Sequence, residues 1–192
     1  MKVAGVIYLH EISQTRMHGT SLKNLAVFSR LCGDSAHDKV ILATTKWSKV
    51  EEKEGTDRES DLKNRYWRKM INLGSTMLRF TGTRESAWDI VNYILQPRSP
   101  PLSLLIQREL VDLHKLLPET AAGQCLREAL ERLLREQKDM ARRLRGDQRS
   151  QQDNNELRAK YEANQEKIMS TLDQIKSLKL PLGRRIVRFF GL

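Results

Sequence analysis

Val3-Ala-Gly-Val-Ile-Tyr-Leu9 is an unbroken run of apolar and β-favouring residues. A strand with one wet face alternates apolar and polar positions. A continuous run marks a strand covered on both faces, as in a parallel α/β sheet. Two further β-rich runs follow, Lys39–Thr44 and Thr76–Phe80. Helical patterns lie between and after them. Thr20 or Ser21 is placed to cap a helix carrying Leu22, Leu25, Phe28 and Leu31, with Gly33 as its stop. The polar stretch 49–60 leads into a second helix with Leu62, Tyr66 and Met70 on one face, closing at Gly74. Gly82-Thr83 opens a third bearing Ala87, Ile90, Val91 and Ile94. The order β-α-β-α-β-α over residues 3–95 predicts parallel strands joined by right-handed crossovers.

The character of the chain changes after this. Pro97-Arg-Ser-Pro-Pro101 breaks it, and a helix is expected from Leu102 to Leu117 with its leucines on one side. Residues 119–180 are rich in Glu, Gln, Arg and Lys and nearly free of aromatics. Leu126, Leu130, Leu133, Gln137, Met140 and Leu144 alternate by four and three, a heptad seam. Leu157, Tyr161, Asn164, Ile168, Thr171, Ile175 and Leu178 form a second. The two are out of register by one residue around Gly146, which fits either a skip or a chain reversal. The spacing favours one interrupted helix slightly over a hairpin. Four segments result: an α/β region at 1–96, a Pro-rich linker and packing helix at 97–118, a coiled coil or hairpin at 119–180, and a tail at 181–192. In that tail, Arg184, Arg185 and Arg188 fall opposite Phe189 and Phe190, the pattern of a short basic interfacial segment that touches a membrane or a partner.

Charge and cysteine content narrow the class. The net charge is +10 over 192 residues, but it is dispersed: 18 basic against 13 acidic side chains over 1–118, 13 against 11 over 119–180, and three arginines in the tail. Nucleic-acid binders concentrate such charge on one face with aromatics interleaved, so no nucleic-acid partner is expected. Cys32 and Cys125 stand far apart and the four histidines lack ligand spacing, which argues against zinc and for reduced thiols in a cytoplasmic setting. No apolar run reaches the ~18 residues of a membrane span, and Val3–Leu9 is followed by His10-Glu11 where a leader would place a cleavage site.

Two groups invite a chemical reading. His10, Glu11, Arg16 and His18 lie together in sequence, but no nucleophile is set by their spacing, so they are read as loop residues. Trp47, Trp67 and Trp88 are read as core.

The strings "GVIYLHEISQTRMHGTSLKNL", "VILATTKWSKV", "YWRKMINLGSTMLRFTGTRESA" and "IQRELVDLHKLLPETAAG" occur in order over residues 3–124. In them the chain resembles fungal G-domain-containing P-loop proteins of the septin-like and immunity-associated branch of GTPases. The resemblance implies the carboxyl-terminal half of a three-layer P-loop NTPase-like domain, about three parallel strands with flanking helices, ahead of the helical extension. It implies further that the family's phosphate-cradling loop, switch threonine and Asp-x-x-Gly motif precede residue 1. No G-x-x-x-x-G-K-[ST] occurs in the chain, so the resemblance implies neither a Mg²⁺ site nor GTP hydrolysis by these residues alone.

What it does imply is a guanine-reading loop. The family's Asn-Lys-x-Asp corresponds to Thr45, Lys46 and Ser48 around Trp47. Thr45 imitates part of the Asn, and Lys46 keeps a stem to lie along the purine. Ser48 offers one hydroxyl where a carboxylate accepts two bonds from guanine. Thr81 and Gly82 occupy the second base loop, with a plain strand-to-helix turn as the competing reading. GTP is the implied ligand. The alternative is a coiled-coil scaffold that self-associates or binds a protein through 119–180, held at a membrane surface by its tail. Because the strand Val3–Leu9 would lack a neighbouring strand, the isolated chain is expected to associate or aggregate.

Overall fold

A computed structural model of the chain describes residues 3–17, 19–96, 103–150 and 155–178, with the side chains of 144–150 and 155–158 left aside. It divides into two compact units that meet between His114 and Lys115.

The first unit is mixed α/β. Strands β1 (Val6–Glu11), β2 (Val40–Thr45) and β3 (Thr76–Arg79) form a parallel sheet in the order β1-β2-β3. The register pairs Tyr8 with Leu42 and His10 with Thr44, then Leu42 with Met77 and Thr44 with Arg79. Helices α1 (Gly19–Cys32), α2 (Glu52–Asp61) and α3 (Arg68–Asn72) lie on one side. There Ile12, Met17, Leu25, Cys32, Leu42 and Trp67 are among the buried side chains of the larger core, with Tyr8 packed on it. Helix α4 (Arg84–Leu95) sits on the opposite face, where Ile90 meets Ile41 and Ala43.

Three expectations are corrected. The strand buried on both faces is β2; all but its last residue are buried. β1 pairs only with β2 among the described residues, and on the α4 side its Ile7 and Leu9 are 38% and 63% exposed. An apolar run marks apolar neighbours on two faces, but central position is set by pairing, which the run does not encode. The second helix begins at Glu52, inside the supposed connector, and passes through a π turn at Leu62–Tyr66 before α3. The helix expected over Leu102–Leu117 reduces to α5 (Leu105–Gln107) and a π turn at Arg108–Asp112. His114, at φ 48, stops it, and Leu113 and Leu117 stay exposed. α5 is seated on the end of α1: a Cβ at Gly33 would lie 2.7 Å from the Leu105 Cβ, and Gly33 has a φ of 77. Only glycine meets both conditions at low cost.

The second unit is a helical hairpin of α6 (Ala121–Ser150) and α7 (Asn155–Ser177). It is antiparallel, since Leu130 clusters with Ile175 and Leu178 while the Asn164 Nδ2 amide donates to the Gln137 carbonyl at 2.9 Å. The interrupted single helix is therefore replaced by a reversal, and α6 continues through Gly146. The α6 seam is also rotated. Leu130, Leu134, Gln137 and Ala141 face inward, whereas Leu126 and Met140 are exposed. Of the second seam, Asn164, Ile168, Thr171, Ile175 and Leu178 are buried and Tyr161 is half-buried, while the side chain of Leu157 lies outside the described residues. Among the described residues no helix is long and apolar enough to cross a membrane.

His37 is fully buried beside the sheet. The Ser75 hydroxyl donates to the His37 carbonyl at 3.1 Å, so its oxygen accepts from the imidazole Nδ1, also at 3.1 Å. That fixes the proton on Nδ1. Nε2 meets no partner among the described residues. Burial lowers the His37 pKa below its ordinary 6.5; nearby Asp34 acts against this and Lys69 with it. His10 is lowered too, by burial against the pull of Glu11. The unfolded chain thus takes up protons near pH 6.5 that the folded chain refuses. Stability is full above about 6.5, falls as pH drops from there through the lowered folded values, and levels below them. The melting temperature is expected to be lower at pH 5.5 than at 7.5, and His37→Gln should shrink that difference. An equal drop in the variant would remove His37 from the account.

Candidate functional site

All three strands run the same way, so their carboxyl ends and the loops leaving them share one edge of the sheet. Ligands of open α/β sheets collect at such edges. Thr45, the last residue of β2, is half-buried and ties two strand ends together. Its hydroxyl donates to the His10 carbonyl at 3.3 Å, and its carbonyl accepts from the Ile12 amide at 2.9 Å. Lys46 follows in the left-handed region, φ 63 and ψ 34, a backbone state that costs a non-glycine residue roughly 1–2 kcal/mol. It is exposed, as is Ser48 in the short 3₁₀ turn Trp47–Lys49.

Trp47 holds this turn. Its indole N–H donates to the Thr44 hydroxyl at 3.1 Å. One side of the ring abuts Gly55 of α2, where a Cβ would stand 2.8 Å from it. The Arg79 guanidinium lies 4.0 Å from the ring centroid. Arg79 is fixed in turn by Glu59, through bonds of 2.9 Å and 2.6 Å to one carboxylate oxygen and 3.1 Å to the other, and by Glu52 at 2.7 Å. These bonds raise its pKa, that to Glu59 most. The carboxylates of Glu52 and Glu59 are therefore engaged with Arg79. Of the three tryptophans, Trp47 and Trp67 are core as expected, while Trp88 is half exposed.

Thr81 and Gly82 leave β3 at the same edge, next to Thr45: the Phe80 amide donates to the Thr44 carbonyl at 2.8 Å. The Thr81 amide, however, donates to Ser86 Oγ at 3.3 Å, and the Thr83 hydroxyl caps α4 by accepting from the Ser86 amide at 3.2 Å. This loop has a structural occupation. Arg184, Arg185, Arg188, Phe189 and Phe190 lie outside the described residues.

A cleft of about 610 Å³ opens beside β1, a feature that sequence reasoning missed. The loop after β1 supplies Ile12, Gln14, Thr15, Arg16 and Met17, and the start of α1 supplies Leu22. Arg58, Asp61, Leu62, Arg65 and Tyr66 come from α2 and the π turn, and His10 lines the cleft from the sheet. Arg58 braces it, donating to the carbonyls of Ile12 at 3.0 Å and Ser13 at 2.9 Å and pairing with Glu54. The signal available in sequence was the spacing 58, 61, 62, 65, one face of a helix. Among the described residues no group of three or more His, Cys, Asp or Glu side chains is placed to hold a metal ion. No family model, curated protein or solved structure matches the chain.

Proposed function

We propose that the first unit is the base-binding half of a G-domain-like, P-loop NTPase-type sheet. On this reading the chain belongs to the GTP-binding class but carries no hydrolytic machinery of its own. The observation that carries this is the placement of Thr45-Lys46-Trp47-Ser48 at the carboxyl end of the central parallel strand, with Lys46 held in a left-handed conformation. Strained backbone at a strand end is a feature of ligand-binding turns, and Trp47, Gly55 and Arg79 fix the turn before any ligand arrives. Thr45 links β1 and β2 as the reading requires of the residue in the Asn position. Hydrolysis needs backbone amides around the phosphates, a Lys and a Mg²⁺-binding hydroxyl in a glycine-rich loop, and the sequence has no such motif. Ser48 is exposed and lacks a carboxylate, so guanine recognition is weak.

Titration of the full chain with GTP, ATP and XTP by calorimetry tests this. Weak binding that favours GTP, without phosphate release, is expected. Lack of heat with all three would move the second reading to the front. That reading is a scaffold working through the helical hairpin. The buried Asn164 and its bond to the Gln137 carbonyl favour it, since a polar pair in an apolar seam fixes register at some cost in stability. Attachment to a membrane surface through Arg184, Arg185, Arg188, Phe189 and Phe190 belongs with it and rests on the sequence pattern.

A further inference from the structure

We propose that the cleft between the end of β1, the start of α1 and the α2–π segment binds a small phosphate ester. It is separate from the nucleotide-base turn, for none of Thr45, Lys46 and Ser48 lines it. Its volume of about 610 Å³ falls within the ~300–1,000 Å³ of small-molecule sites. Three observations give it chemistry.

First, His10 is 6% exposed and forms part of the lining, yet its ring nitrogens bond no group among the described residues. The imidazole is held by edge-on packing against Trp67, with ring centroids 5.9 Å apart at 82°. Neither nitrogen is among the fully buried unpartnered atoms of the described residues, so both keep access to solvent, and the cleft that His10 lines is where a ligand acceptor can meet them. Second, Arg16 and Arg65 are exposed at the rim and form no ion pair with any described residue. The third arginine is different in kind: Arg58 is committed to two carbonyls and Glu54, so it shapes the cleft and leaves recognition to the other two. Third, the lining is mixed in sign. Asp61 forms no ion pair among the described residues and accompanies Thr15 and Tyr66.

Guanidinium groups bind phosphate oxygens through paired N–H donors, more strongly than neutral donors do. A neutral His10 adds one more N–H from below without a charge to desolvate. A phosphate group fills only part of the space. Asp61 and Thr15 suit hydroxyl groups on the remainder, which favours an ester of a polyhydroxylated compound over a bare anion.

Ribose 5-phosphate, ribose and inorganic phosphate are the probes, titrated into the full chain while the His10 ring resonances are followed by NMR. Saturable one-to-one binding of ribose 5-phosphate is expected, with inorganic phosphate weaker and ribose silent. Arg16→Ala and Arg65→Ala should each weaken the ester at least tenfold, while Arg132→Ala, an exposed arginine of the hairpin, stays within twofold. A loss as large in Arg132→Ala would show that net positive charge alone attracts the anion, and overturns the site. So does the absence of saturation, or binding that ignores Arg16 and Arg65. Ser48→Asp is expected to leave ester binding unchanged; a change there would place the ester on the base turn and also overturn the assignment.

Discussion

Ser48→Asp is expected to raise the affinity of the chain for GTP by about 10- to 100-fold and to leave ATP no better bound. A carboxylate at this position accepts from both guanine N1–H and the exocyclic amine, where the serine hydroxyl offers one neutral acceptor. Hydrogen bonds to a charged group contribute roughly 1.5–3 kcal/mol, which is one to two decades in affinity. Adenine has no donor at N1, so the gain does not extend to ATP. The substitution is clean because Ser48 is exposed in the turn Trp47–Lys49 and makes no bond that holds the turn, a task of Trp47 and Arg79. Exposed changes of this type shift stability by about 0.5 kcal/mol or less. Melting curves should therefore overlay, and calorimetric titrations with the two nucleotides should diverge. If GTP gains no more than ATP, position 48 does not face a base and the guanine-loop reading of Thr45–Ser48 fails.

The strand and helix order of the first unit was legible because each element carries its own apolar pattern, period two or nearly continuous in strands and 3.6 in helices. What was illegible has a common cause: it depends on partners distant in sequence. α2 turns only Gly55 and, beyond its end, Leu62 inward, so its sequence shows no apolar stripe to detect. The run at β1 reads as the strand covered on both faces, and pairing decides that β2 is central. In α6, Leu133 and Leu134 are adjacent, and two heptad phases fit nearly equally well. The partner helix α7 selected the one containing Leu134. The candidate turn itself was visible as Thr45-Lys46-Trp47-Ser48. The Arg79–Glu52–Glu59 group that locks it, and the cleft built by Arg58 and Arg65, were not, since both assemble only when α2 packs beside the sheet.

Trp67 is where that packing is concentrated, and its replacement should have the largest effect on stability. It is fully buried, the largest such side chain among the described residues, and it meets Tyr8 edge-on at 6.4 Å and His10 at 5.9 Å. Trp67→Ala removes the indole from between the sheet and the α2–α3 segment. Large-to-alanine changes of this kind cost about 3–5 kcal/mol, because the surroundings collapse only partly into the space. Against a typical domain stability of about 5–15 kcal/mol this is a large fraction. Trp67→Phe separates the ring's packing from its polar atom. The indole N–H is buried and has no partner among the described residues, so deleting it removes a group whose desolvation costs about 1–3 kcal/mol. That gain offsets much of the volume lost, and the phenylalanine variant should lose less than half of what alanine loses. Urea unfolding followed by far-ultraviolet circular dichroism measures both without relying on tryptophan emission. A phenylalanine variant as unstable as the alanine one would mean that the indole N–H is satisfied in solution. The same variants bear on the cleft, because Trp67 holds the His10 ring in place. Trp67→Ala should weaken ribose 5-phosphate under conditions where the variant is still folded, and Trp67→Phe, which keeps an aromatic edge against the imidazole, should retain it.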